Sequence, residues 1–182
     1  MRPVRAILSR RPLRRDTRGV SAVEFALVLP FLVLLYLGGY QLSDAIAAQR
    51  KVTTTTRAIV DLTSRYTTVT NADLDMILNA SRQIMAPYPT TNASMTISQI
   101  SIDKDGKGTV DWSRPLHGKA LVVGDTFDVP TEIQQPNTTI LVAATSYLYV
   151  PVVARTLVGD IPMREQIIMS PRASNSIPLK AS

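Results

Sequence analysis

Cysteine is missing altogether from these 182 residues, and histidine occurs once. Without cysteine there is no disulfide, no thiolate metal site and no thiol nucleophile, a composition that fits any redox compartment. A lone histidine rules out a multi-histidine metal centre. Its setting, Arg114-Pro115-Leu116-His117-Gly118, predicts an exposed loop. The short signatures of nucleotide and hydrolase chemistry are absent too: no GxSxG elbow, no Walker loop and no GxGxxG turn. Asp103-Lys104-Asp105-Gly106 starts like a calcium loop, but no third acidic ligand is in register and the twelfth position is Arg114 instead of Glu. A tight Asp-Gly hairpin accounts for it better. Trp112 reads as a core or sheet residue. The expectation is a protein without a catalytic set, a metal or a cofactor.

Charge is scarce outside one end. The formal net charge is +6, yet the leader up to Gly19 holds seven arginines with Asp16 as its only acid, leaving 13 basic and 13 acidic residues from Val20 onward. The basic isoelectric point therefore belongs to the leader, and nucleic acid is not an expected partner. Arginines ahead of an apolar run, here Arg10, Arg11, Arg14, Arg15 and Arg18, are a positive-inside signal that holds the N-terminus in the cytoplasm. The rest of the chain is then translocated, into the periplasm in a Gram-negative source.

What the chain has in quantity is a long apolar run. Phe25 to Tyr40 carries no charge, and Val20 to Leu42 carries only Glu24. At about 1.5 Å per residue the longer stretch spans about 34 Å, matching a hydrocarbon core of roughly 30 Å. A secretory h-region is shorter and ends at a small-x-small site, so a retained single-pass span is expected over ordinary signal-peptide cleavage. Pro30 bends such a helix tolerably within a bilayer, and Tyr36 and Tyr40 suit its outer interface. Glu24 is the anomaly: a carboxylate in hydrocarbon costs roughly 2.5–3.5 kcal/mol. The plain reading places it in the headgroup layer; the alternative is that something outside the isolated helix uses it.

Beyond the span, small and apolar residues recur at helical spacing (Ala45, Ile46, Ala48, Val52, Thr55, Ile59, Leu62, Tyr66). Charges fall opposite, with Arg57–Asp61 and Asp61–Arg65 as i,i+4 pairs. One helix from Val20 to Tyr66 is expected, with Thr53–Thr56 as its weak point. Thr70 or Asn71 caps a second helix, with Asp73 and Asp75 at its positive end and Pro87-Tyr88-Pro89 as its stop. Period-two patterns follow: strands at Met95–Ile102, Thr109–Trp112 and Thr138–Val150, and a short one at Ile167–Met169. The fold class is α+β, a long N-terminal helix carrying a small head with a second helix and an antiparallel sheet. Residues 1–19 form a basic cytoplasmic leader, 20–42 a transmembrane helix, 43–68 its periplasmic extension and 69–182 the head.

Arg18-Gly19-Val20-Ser21-Ala22-Val23-Glu24-Phe25 resembles the processing site of type IV pilin-like proteins. The longer segment through Ala26-Leu27-Val28-Leu29-Pro30 is similar to the TadE/TadF minor pseudopilins of tight-adherence (Tad, Flp-type) pilus systems. Ala58-Ile59-Val60-Asp61-Leu62, Ile84-Met85-Ala86-Pro87-Tyr88-Pro89, Val110-Asp111-Trp112-Ser113 and Met169-Ser170-Pro171-Arg172 also look familial. The resemblance implies a pilin-like fold and cleavage by a prepilin peptidase between Gly19 and Val20. It implies that Glu24, followed by Phe25, pairs with the new N-terminal amine in the same or a neighbouring subunit. Its implied partners are other pilin and minor pseudopilin subunits, the inner-membrane pilus assembly platform and the bilayer. An uncleaved, signal-anchored periplasmic assembly protein is the other reading; an exported enzyme would need a polar cluster in a head cleft.

Overall fold

The apolar run and the small and apolar residues at helical spacing beyond it form one helix, α1, Val20–Ser64, despite its many β-branched residues, which lose rotamer freedom in a helix. It continues through Pro30, Gly38-Gly39 and the four threonines, and ends two residues short of the expected Tyr66. The computed structural model describes residues 19–152 and 155–180. The leader arginines Arg10, Arg11, Arg14, Arg15 and Arg18 lie outside the described residues. Two units separate by their internal contacts, Met1–Tyr40 and Gln41–Ser182.

In the first unit every described residue but Leu37 is exposed. Thirteen large apolar side chains between Val20 and Tyr40 are among them, Phe31 at 71% and Leu35 at 74%. A helix this apolar is long enough to cross a membrane.

In the second unit, the part of α1 from Gln41 onward buries Ala48, Val52, Thr55, Thr56, Ile59, Val60, Thr63 and Ser64. Two expected members of its apolar face lie elsewhere: Ile46 and Leu62 are exposed at 47% and 39%. The buried stripe runs through the threonines instead. Thr56 and Thr63 donate back to the carbonyls of Val52 and Ile59, at 2.9 and 2.8 Å, which removes the cost of burying a hydroxyl. The expected Arg57–Asp61 pair does not form; Asp61 pairs with Arg65 and Arg172.

Strand β1 (Val69–Thr70) leads directly into α2 (Asn71–Arg82). Thr70 is the cap: its hydroxyl accepts from the Asp73 amide and the Asp73 carboxylate accepts from the Thr70 amide, a reciprocal capping box. The α-helical ladder stops at Arg82 and tightens into a 3-10 turn, Gln83–Met85, ahead of Pro87. Strands β2 (Ala93–Ile102), β3 (Gly108–Leu116), β4 (Thr126–Phe127), β5 (Thr138–Tyr149) and β6 (Ile161–Met169) make one antiparallel sheet in the order β4-β3-β2-β5-β6. The one-turn helix α3 (Arg155–Val158) lies between β5 and β6. A final strand, β7 (Leu179–Lys180), pairs in parallel with β1. The expected antiparallel strands are present, with β2, β3 and β6 longer than expected and β5 ending one residue before Val150. The β1–β7 pair and β4 were not legible.

Alternation along the strands gives the sheet two unlike faces. Met95, Ile97, Leu141, Ala143, Tyr147 and Tyr149 join Val52, Ile59, Leu74 and Leu78 of the helices in the main core. Ile100, Ile102, Ile140 and Val142 point the other way, into a smaller core with Val110 and Val129. A β-bulge lets β3 serve both. Pairing shifts between Gln99 and Ile100, so Trp112 opposes Gln99 and Val110 opposes Ile100. Gly108 is where β4 crosses closely: an added Cβ would sit 2.7 Å from the Phe127 carbonyl and from a Val129 methyl.

Candidate functional site

Two places in the chain bring together the residues that the sequence singled out, one in each unit. At the start of the first, Gly19 forms a short helical turn ahead of α1, with nothing within 4 Å of where a Cβ would be. Val20 opens the helix and is 52% exposed. Glu24 lies four residues on, so it stands on the same face about 6 Å further along the axis. It is exposed and makes no ion pair or hydrogen bond with the described residues. Phe25 beside it is 59% exposed. This carboxylate is therefore presented on an apolar cylinder without a partner among the described residues.

The second place ties the head together. Arg172 reaches the end of α1 twice: its amide donates to the Ser64 carbonyl at 2.8 Å and its guanidinium lies 3.0 Å from the Asp61 carboxylate. Five residues later the tail is pinned to the sheet. The Trp112 indole donates to the Ile177 carbonyl at 2.8 Å, and the Ile177 amide donates to the buried Gln99 side chain at 2.7 Å. Gln99 is held in turn by Asp111 at 2.8 Å, an acceptor it shares with Ser101. Ile177 itself is fully buried. At the other end of the same core, Asp44 of α1 accepts from Tyr88 at 2.8 Å and from Tyr149 at 2.5 Å, and Gln41 bonds to Tyr149. Tyr88 packs edge-on against both Tyr147 and Tyr149, with ring centres 6.4 Å apart. Burial, together with the nearby Asp44 charge, pushes the Tyr147 hydroxyl above its ordinary pKa.

All four of the later sequence stretches that look familial contribute to these ties. Asp61 meets Arg172, Trp112 meets the tail, and Tyr88 meets Asp44. Sequence reasoning missed Gln99, Ile177 and the Asp44–Tyr149 contact. Gln99 reads as the polar face of a strand, and the tail has no periodicity to declare that it is packed. Trp112 is 4% exposed in β3, a core and sheet residue as expected, and His117 is exposed just past the end of that strand.

The surface hollows offer little for chemistry. The two on the far side of the sheet are shallow and open, lined by Ser94, Thr96, Ser146, Arg164 and their neighbours. Among the described residues no three His, Cys, Asp or Glu side chains group as metal ligands.

No curated protein and no solved structure matches the chain. A family model does match over its N-terminal part, from Gly19 through the span and nearly to the end of α1. The matched segment ends at Asp61, the residue that holds Arg172. Residues 19–61 match the family described as TadE-like protein, and over that segment the chain is similar to this family.

Proposed function

We propose that this chain is a minor pseudopilin needed to assemble or prime a Tad-type adhesive pilus. The match over residues 19–61 carries the reading, because it begins at the glycine where cleavage is proposed and covers Glu24. The family's members are structural parts of a pilus, and the apolar, exposed first half of α1 fits a single-pass membrane anchor. In this reading the chain is made as a precursor in the bacterial inner membrane. The leader arginines stay in the cytoplasm and the head faces the periplasm. A prepilin peptidase cuts after Gly19 and leaves Val20 with a free ammonium. Its partners are the peptidase, other pilin and minor pseudopilin subunits, and the inner-membrane assembly platform.

Glu24 then acquires a role. A buried carboxylate left alone is costly, and one paired with an ammonium much less so. Pairing with the amine of Val20, in the same helix or in a neighbour leaving the bilayer beside it, sets the stagger between subunits. The head supplies the surface that other subunits meet. Its ties between α1, sheet and tail keep that surface in one shape.

The N-terminus of the protein taken from its native membrane tests this, by intact mass and terminal sequencing. A start at Val20 that disappears when the peptidase is deleted supports the pseudopilin. A start at Met1 or Arg2 replaces it with an uncleaved, signal-anchored assembly protein.

A further inference from the structure

The two edges of the sheet are finished differently. On the β3 side, β4 pairs with Gly108 and Thr109. The chain leading into β4 stays alongside: the Gly124 amide donates to the Val110 carbonyl at 2.9 Å, and the Val110 amide donates to the Asp125 carbonyl at 3.0 Å. The Leu121 amide closes on the Ser113 hydroxyl at 3.0 Å. On the other side β6 is the last strand. It runs in unbroken register with β5, and among the described residues it makes no main-chain bond on its outer side. Alternate residues of an antiparallel strand turn both N–H and C=O outward. Such an edge is a template for another strand, and proteins blunt it with a short strand, a bulge, a proline or a charge. With nine residues and no shift of register, β6 is neither short nor bulged. Pro162 removes a donor only near the start of the strand. Glu165, the charge at its middle, is drawn onto α1 instead, where it accepts from Thr53 at 3.0 Å and lies 3.4 Å from the Gln49 side-chain nitrogen.

Alternation gives this edge two unlike faces. Ile161, Ile167 and Met169 share a face with Glu165 and are only partly buried against the main core. Arg164 is exposed on the opposite face, in a row with Ser146 of β5 and Ser94 of β2. It makes no ion pair or hydrogen bond with the described residues. An incoming strand with apolar side chains on the first face and a carboxylate on the second covers the one and neutralises the other. A second copy of β6 does not supply that carboxylate. Two copies paired antiparallel about a two-fold axis keep every residue on its own face. Arg164 then meets only Pro162, Arg164, Gln166 or Ile168 of the second copy, while the sole acid of the strand, Glu165, lies on the other side.

We propose that the outer edge of β6 docks a strand of a different protein: an extended segment that alternates apolar with polar residues and sets an acidic side chain opposite Arg164. Main-chain bonds supply the attachment, and the alternating side chains supply the selection. The edge lies wholly within the unit Gln41–Ser182, so it stands or falls independently of processing after Gly19.

The full chain in detergent micelles is titrated against a fluorescein-labelled peptide as long as β6, with valine and threonine alternating and glutamate in place of one inner threonine. Fluorescence anisotropy is read at concentrations where the peptide alone is monomeric. Saturable binding is expected, weakened about fivefold by Arg164→Glu and restored when the peptide's glutamate is replaced by lysine. Two N-methylated peptides report the geometry, one blocked at the valine amides and the other at the threonine amides. Only alternate amides of an added strand reach the edge, so one pattern abolishes binding and the other leaves it within about twofold. The proposal is overturned by no saturable binding, by equal loss with both patterns, by an affinity indifferent to Arg164→Glu, or by a loss that the lysine peptide does not restore. Dimerisation of the chain that excludes the peptide also overturns it, and gives the edge to a second copy.

Discussion

Glu24 is the residue whose energetics most need a partner. An exposed carboxylate on an apolar helix is tolerable at the headgroups and expensive within lipid, so its value lies in what it meets. Glu24→Ala is expected to leave membrane insertion and N-terminal processing intact while incorporation into pili falls to near background, read by counting sheared filaments. Processed Glu24→Ala protein with normal piliation would remove the residue from assembly. A second prediction at this scale concerns the carboxylates of α2. The Arg114 guanidinium, 2.6 Å away, holds Asp75 below its ordinary pKa, and the Thr70 bonds do the same for Asp73. Each contributes stability that is present above the ordinary value of 3.8 and is lost as pH falls through the lowered folded value. Asp75→Asn should therefore flatten the acid side of the Tm–pH profile. Its cost near neutral pH should stay below about 1 kcal/mol, since both partners are part-exposed. Thr70→Ala, which removes the cap hydroxyl, should cost about 1 kcal/mol.

At the scale of elements, the tail clasp is the feature most open to mutation. Trp112→Phe keeps the ring but strands the Ile177 carbonyl, with an expected loss of about 1–3 kcal/mol in urea unfolding. Ile177→Ala, which leaves a hole in a fully buried position, should cost about 2–5 kcal/mol. Elements whose causes are local were readable before any coordinates. The apolar run gave α1, Thr70 with Asp73 announced the start of α2, and Met95–Ile102 alternates because one face is buried. Elements whose causes are distant were not. Strand β3 continues past Trp112 through Ser113, Arg114 and Pro115, because β2 is there to pair with and Asp75 is there to receive Arg114. The expected Arg57–Asp61 pair lost to Arg172, a residue far along the chain that no periodicity could bring near. At the proposed processing segment the residues themselves were legible. Whether they are cut and what Glu24 meets depend on other proteins.

At the scale of the molecule, the chain divides its tasks. An apolar half-helix, with nearly every side chain uncovered, needs an environment that the protein does not provide. The head from Gln41 onward provides its own through two cores on opposite faces of one sheet. Ending the chain after Ser170 would delete Arg172, Ile177 and β7 together. The expected outcome is a head that still inserts through α1 but is cut rapidly by a non-specific protease; a resistant head would mean that the clasp is dispensable.

The parallel pairing of β1 with β7 also bears on the order of events during export. In the export proposed above Val69 would emerge well before Leu179, yet the two lie side by side in the folded protein. Pairs so distant in sequence form late. On the proposed periplasmic placement of the head, the main core would stay unlatched until β7 is out, a period in which a holding chaperone would be useful. The latch is also a completeness check: a chain terminated before β7 cannot form the β1–β7 pair and is expected to be more open to proteolysis.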